Sequence, residues 1–284
     1  MPQLAVLLST LIWGATFPVT KAALAQTPPL SFLFLRFLLG TLFVWAVLWA
    51  TRHRLVYDAR MLRMSAIATL FWYLGYVLQT VGLNYTTASN SAFITVLYVV
   101  FVPLFLRRFH WKTWTSAGLA MVGVWCLADP SLVLNWGDVL SLGCAAAFAA
   151  HMVVLESYTR SGDPVSLTAW QFLLITAALL PTMMFEGPSI SAFVPTPTLL
   201  LALTITGLLA TLAFGIQIWA QRLLPAQRIA LIFAVEPACA AWLAWYFLGE
   251  QLPAKGWVGS GLILAAVVWG TLSEPSHTTP AEAR

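Results

Sequence analysis

Two titratable side chains lie deep within apolar stretches of this sequence: His151, in a run from about 137 to 158, and Glu236, which is followed at once by Pro237. Ionisable groups in such surroundings are costly unless paired or hydrated, so they point to a solute or proton pathway. The imidazole, with an ordinary pKa of about 6.5, suits proton coupling, and it equally suits a satisfied core position. Glu236 also has a structural reading, because Pro237 cannot complete the helix ladder and the carboxyl could satisfy the groups freed by a kink. Neutral candidates recur at helical spacing. Trp72, Tyr76 and Gln79 fall at i, i+4 and i+7, as do Ser91, Thr95 and Tyr98, so each trio shares one face. Trp13, Thr16, Tyr73, Thr211 and Gln217 complete the set. Converging faces of this kind would line a cavity with aromatic walls, amide and hydroxyl donors and two titratable groups, fit for zwitterionic or amphipathic solutes. Plainer roles stand beside this one. Gln79 and Gln217 serve as interhelical glue, the hydroxyls bond back to their own helices, and the tyrosines pack or anchor at interfaces.

Covalent catalysis is not expected. An intramembrane hydrolase or lipid transferase needs paired acids, a His-Glu-x-x-His motif or a Ser–His constellation, and neither Glu236 nor His151 has such a partner in the sequence. There is no Gly-x-x-x-x-Gly-Lys-Ser/Thr phosphate loop, so no ATP is expected to drive the protein. Cys126, Cys144 and Cys239 follow neither zinc nor disulfide spacing and read as packing residues. No metal or cofactor is expected. A channel would want charged rings or filter loops, and these are missing too.

The elements that must position these residues follow from composition. Of 284 residues, 60% are hydrophobic and 8% charged, against about 25% charged in soluble domains, and mean hydropathy is +0.85. That excludes a soluble enzyme, a nucleic-acid binder and a disordered scaffold. Apolar runs cover about 4–24, 30–50, 63–83, 88–106, 113–129, 137–158, 164–184, 198–220, 226–248 and 255–272, separated by turn chemistry such as Thr27-Pro28-Pro29 and Asp129-Pro130-Ser131. They are twice the length of barrel strands and lack dyad alternation, so they read as helices. The expectation is an all-α polytopic membrane protein with ten transmembrane helices. Met-Pro-Gln lacks a basic leader, so the first run reads as a retained helix rather than a signal peptide. Arg52, Arg54, Arg60, Arg63, Arg107, Arg108, Lys112, Arg160, Arg222, Arg228 and Arg284 fall on one side if ten helices alternate, leaving Lys255 in a loop opposite. The positive-inside rule then places both termini in the cytoplasm of a bacterium, with the protein multi-pass in its inner (plasma) membrane. The net charge of +4 reflects this orientation rather than nucleic acid. Residues 273–284 read as a mobile cytoplasmic tail.

The halves resemble each other. An offset of 135 pairs Trp13 with Phe148, Thr16 with His151, Lys21 with Glu156, and Arg36-Phe37-Leu38-Leu39 with Gln171-Phe172-Leu173-Leu174. At 138, Gln79 meets Gln217 and the stretch from Ala88 meets that from Ala226; at 143, Lys112, Trp114, Gly118 and Leu119 meet Lys255, Trp257, Gly261 and Leu262. The expectation is a first five-helix repeat over 1–130 and a second over 131–272. Five helices per unit force the second to enter from the opposite face, the inverted arrangement of secondary transporters. Lys21 and Arg36 read as structural, and Gly14, Gly75, Gly82, Gly118, Gly207 and Gly261 as sites of close helix packing.

Several motifs resemble the EamA-type, ten-helix members of the drug/metabolite transporter superfamily. They are Leu-Ile-Trp-Gly-Ala-Thr-Phe-Pro-Val-Thr-Lys from Leu11 to Lys21, Phe34-Leu35-Arg36-Phe37, Gln221, Pro225-Ala226, Glu236-Pro237, Leu248-Gly249-Glu250 and the run from Gly259 to Ile263. The resemblance spans residues 4 to about 272. The repeat mate of Glu236-Pro237 is Tyr98-Val99, which lacks both acid and proline, so a mechanism needing symmetric Glu-Pro elements does not carry over. The resemblance implies export of small metabolites, and within the family the sequence is similar to YddG-like amino-acid exporters. The expected function is export of amino acids, aromatic and hydrophobic ones included, by alternating access through a central cavity, with membrane lipid and a small-molecule solute as partners. Glu236 and His151 permit proton coupling. Efflux of hydrophobic or cationic drug-like compounds is the alternative.

Overall fold

The structure, a computed structural model, describes residues 2–128, 135–159, 162–186, 194–248 and 254–273. Among them every regular element is helical: α1 (Pro2–Leu24), α2 (Pro29–Thr51), α3 (Ala59–Gly82), α4 (Ala88–Thr95), α5 (Tyr98–Phe105), α6 (Trp111–Ala128), α7 (Trp136–Thr159), α8 (Pro164–Met183), α9 (Pro197–Leu203), α10 (Ala210–Gln221), α11 (Ala226–Phe233), α12 (Glu236–Leu248) and α13 (Ala254–Ser273). Helix starts carry the expected chemistry. Asp58, Thr87, Asp163 and Thr196 accept from the backbone N–H groups of Met61, Asn90, Ser166 and Leu199 at 2.7–3.2 Å, and proline opens α2, α8 and α9. Partial burial would raise the Asp163 carboxyl, but hydrogen bonds from Ser166 and His53 outweigh it and hold the group below its ordinary range.

Among the described residues, seven helical segments are long and apolar enough to cross a bilayer, and shorter apolar helices cover Asn90–Phe105 and Ala254–Gly270. Large apolar side chains face outward along them, among them Leu4, Leu8, Leu42, Leu70, Leu212 and Val268. An apolar exterior on this scale requires lipid as its solvent. The protein is a polytopic membrane protein.

The structure corrects three readings of the apolar runs. The stretches 88–106 and 226–248 are not continuous helices but pairs, α4–α5 and α11–α12, divided at Val96-Leu97 and at Ala234-Val235. At both joints the ladder tightens, Leu97 N donating to Ile94 O and Val235 N to Ile232 O, each at 3.1 Å. Pro237, lacking an N–H, accounts for the second joint; nothing in the apolar pattern signals the first. The third correction lies in 198–220, where a π-helical turn over Thr204–Leu209 separates α9 from α10. The turn Asp129-Pro130-Ser131, the element Gly249-Glu250 and the tail from 274 onward lie outside the described residues.

Side-chain bonds sort the connections into two groups. At one end, which also holds the start of α1, His53 bonds Asp163 at 2.9 Å, Trp170 Nε1 donates to Val56 O, and Glu156 joins Arg108 to Ala226. We term this the near end. At the far end, Glu186 accepts from Leu30 N and Ser31 N, Thr196 donates to Gln26, and Lys21 reaches the carbonyls of Leu83 and Thr86. Between the ends, α2 packs on α8, α6 on α13, α3 on α7, α1 on α10, α5 on α7 and α1 on α12.

Glycines permit some of these crossings. A Cβ on Gly123 would lie 2.7 Å from Gly259 O, and one on Gly137 would lie 2.6 Å from Gly82 O. Gly14, Gly75, Gly82 and Gly207 also face close neighbours, but Gly118 and Gly261 face open space. The expectation of close packing at those two is corrected: the α6–α13 contact uses Gly123 instead.

Candidate functional site

A small cavity of about 40 Å³ sits where α1, α3, α4, α5, α7, α10 and α12 meet. Its wall consists of Trp13, Thr16, Phe17, Trp72, Tyr76, Gln79, Thr95, Tyr98, Phe148, His151, Met152, Gln217 and Glu236. Pockets that hold small ligands run to roughly 300–1,000 Å³, so a solute the size of an amino acid enters only if this space expands.

The two joints described above supply its acidic corner. Tyr98 opens α5 and Glu236 opens α12, and the Tyr98 hydroxyl donates to Glu236 Oε2 at 3.1 Å. The carboxyl is therefore engaged by the opposite half of the chain rather than by groups freed at its own kink. Both side chains are buried.

An aromatic stack forms a second wall. Trp72 and Phe214 lie 4.0 Å apart and 18° from parallel, and the His151 ring runs parallel to both with centroids 5.8 Å away. Gln171 fixes the imidazole, its Oε1 accepting from His151 Nε2 at 2.9 Å while its own amide reaches Leu167 O. With the Gln171 amide turned to Leu167, Nε2 is the donor in that bond. Gln217 donates to Gln221, which donates to Met152 O. Among the described residues the Gln79 amide lines the cavity without a side-chain hydrogen bond, and Trp13 Nε1 is likewise buried without one. These are polar groups with hydrogen bonds still to offer.

Ten of the thirteen candidates from the sequence come together here: Trp13, Thr16, Trp72, Tyr76, Gln79, Thr95, Tyr98, His151, Gln217 and Glu236. Three do not. Ser91 bonds Ser141 at 3.0 Å along the α4–α7 seam, and Tyr73 bonds Thr182 at 2.7 Å. Thr211 returns its hydroxyl to Gly207 O and borders an outward apolar groove with Phe43, Val47 and Trp219. Phe17, Phe148 and Met152 line the cavity without having been singled out. Phe148 had a signal, as the repeat mate of Trp13; Met152, next to His151 in an apolar run, had none.

Phe148 is held against α3 by a glycine. A Cβ at Gly75 would lie 2.3 Å from Phe148 Cε1, so Gly75→Ala must push the ring toward the cavity. Overpacking of this kind costs about 1–3 kcal/mol. The expected result is solute flux reduced about tenfold, measured in proteoliposomes, with recovery when Phe148→Ala is added. Flux unchanged by Gly75→Ala would show that Phe148 does not bound the path.

A helical bundle with a lipid-facing apolar surface, and a cavity of aromatic and polar side chains between its helices, fits a membrane transporter. The chain belongs to the EamA-like transporter family, whose model matches residues 1–128 and 135–271. It is 34% identical over 272 residues to an uncharacterized transporter of Archaeoglobus fulgidus, covering 94% of this chain and 84% of that one. It is 26% identical to the uncharacterized inner membrane transporter YedA of Escherichia coli, covering 93% and 88%. It is also 26% identical to the uncharacterized transporter YwfM of Bacillus subtilis, covering 94% and 92%. One solved crystal structure, 17% identical, superposes with a TM-score of 0.77 over 96% of this chain and 99% of that one, and so shares the fold.

Proposed function

We propose that the protein exports small organic metabolites across the bacterial inner membrane by alternating access, amino acids foremost and aromatic and hydrophobic ones among them. Ten transmembrane helices, in two inverted repeats with cytoplasmic termini, form the machine. The observation that carries this reading is the contact of repeat mates at the centre. Thr41 and Thr176, 135 residues apart, share a hydrogen bond at 2.8 Å; Tyr98 and Glu236, 138 apart, share another. In a twofold arrangement only residues near the axis meet their own equivalents. The helix contacts agree, since exchanging α1 for α7, α3 for α10 and α5 for α12 turns the α3–α7 contact into α10–α1 and α5–α7 into α12–α1. The near end carries the arginine-rich connections, which supports a cytoplasmic near end.

Both ends are tied. Glu156 binds the start of α11 at the near end, and Lys21, its repeat mate, binds the connection before α4 at the far end. With both latches made the cavity is contracted, as a transporter between its two open states requires. Aromatic walls with a carboxyl, an imidazole and free amide and indole donors suit an amphipathic zwitterion.

Counterflow in proteoliposomes tests the reading. Vesicles preloaded with unlabelled amino acids are expected to take up labelled phenylalanine saturably without an imposed pH gradient. If a gradient then adds accumulation, Glu236→Gln and His151→Gln identify the proton-carrying group. Absence of amino-acid counterflow in folded protein, with flux of lipophilic cations instead, would replace this reading with drug efflux.

A further inference from the structure

We propose that Arg36 is the receptor for a carboxylate on the transported solute, covered by Tyr76 in the present conformation. The proposal rests on the transport reading above and narrows its substrate class to carboxylate-bearing solutes. Arg36 lies on α2 about 10 Å from the far end, at 1.5 Å per residue, and is 5% exposed. Its guanidinium stands 4.4 Å from the Tyr76 ring centroid and 5.3 Å from that of Phe37, and Nη2 donates to the Tyr76 hydroxyl at 3.1 Å. No carboxylate among the described residues lies within ion-pair reach of it. Among the described residues, the ion pairs His53–Asp163 and Arg108–Glu156 both lie at the near end.

A guanidinium has five N–H donors, and among the described residues this one makes a single hydrogen bond, to the Tyr76 hydroxyl. Aromatic faces return only part of what a desolvated cation loses. The fold at this position does not call for a charge. Gln171, the repeat mate of Arg36, occupies the equivalent place on α8 as a neutral amide, fully buried and bonded to His151 and Leu167. A residue whose counterpart manages without charge, and which itself lacks an anion, has its anion arriving from outside. Tyr76 separates it from the cavity by one ring. When the cavity expands and that ring turns aside, the planar fork can take a carboxylate through two parallel hydrogen bonds, which lysine cannot reproduce.

The test compares L-phenylalanine, L-phenylalaninamide, phenylpropanoate and phenethylamine as competitors of labelled phenylalanine counterflow. In the wild type the amide and amine are expected to compete at least about 30-fold more weakly than phenylalanine, as loss of a buried charge pair implies, while phenylpropanoate competes. Arg36→Gln, the residue its repeat mate uses, is expected to bring phenylalanine and its amide level; Arg36→Lys restores only part of the difference, and Tyr76→Phe retains it. Equal competition by acid and amide in the wild type overturns the proposal without any variant, so a poorly folding Arg36→Gln does not shield it. A ratio unchanged in folded Arg36→Gln overturns it as well. Carboxylate flux without amino-acid flux keeps Arg36 and removes the amino-acid reading, whereas flux of lipophilic cations with no carboxylate flux removes both.

Discussion

Glu156→Gln is expected to release the near end of the bundle and to shift the resting protein toward a state open there. The carboxylate is buried and accepts from Ala226 N at 2.9 Å and from Arg108 at 3.0 Å. It thereby ties the last turns of α7 to the start of α11 and to the connection after α5. Glutamine keeps the shape and loses the charge. Hydrogen bonds to charged groups contribute about 1.5–3 kcal/mol. The Arg108 side chain is 37% exposed, so its share is screened and the buried bond to Ala226 carries most of the effect. A change of about 1.5–3 kcal/mol moves a two-state balance roughly 10–100-fold. The readout is the labelling rate of a cysteine placed at Met152, on the cavity wall, by an impermeant thiol reagent from the near side, with Cys126, Cys144 and Cys239 replaced. A rate equal to that of the parent protein would remove Glu156 as a latch.

Lys21→Met should act in the opposite sense. Its ammonium donates to the carbonyls of Leu83 and Thr86, both in the connection between α3 and α4, and Thr86 in turn donates to Asp138 at the start of α7. Losing the cation leaves two carbonyls unmatched at the far end, a loss of about 1.5–3 kcal/mol. Labelling of a cysteine at Gln79 from the far side should rise about tenfold, while labelling at Met152 from the near side falls. The double variant separates mechanisms. If the ends alternate, Lys21→Met offsets Glu156→Gln and near-side labelling returns toward the parent rate. If they breathe independently, near-side labelling in the double variant stays at the Glu156→Gln rate.

Helix extents were legible because lipid-facing segments must be apolar throughout and the turns between them polar. Joints inside an apolar run leave no such contrast, so Val96-Leu97 and the π-helical turn at Thr204–Leu209 passed unseen. The site was legible wherever a polar side chain interrupted hydrocarbon at helical spacing, as with Trp72, Tyr76 and Gln79. Ser91 follows the same spacing, but its hydroxyl meets Ser141 on α7 instead. Thr211 and Gln217 are six residues apart, about 120° around a helix, so they could not share the cavity face. The pairing of halves named Tyr98 and Glu236 as mates; that mates near an axis also touch is a property of three dimensions. Arg36 read as structural for the same reason, since its want of an anion shows only once its surroundings are known.

The contact between Tyr98 and Glu236 also bears on stoichiometry. Two identical chains related by a twofold axis must place the same residue on both sides of it, as Thr41 and Thr176 still do. A homodimer built this way would bring either two tyrosines or two carboxyls together at the α5–α12 contact. Two carboxyls there would repel when ionised and would tend to share one proton. In the two-repeat arrangement proposed above, one polypeptide lets the two positions differ, so Glu236 stands opposite the Tyr98 hydroxyl. On the transport reading proposed above, the cavity offers the Glu236 carboxyl once per cycle, and an exchange routed through it would move at most one proton on that group for each solute.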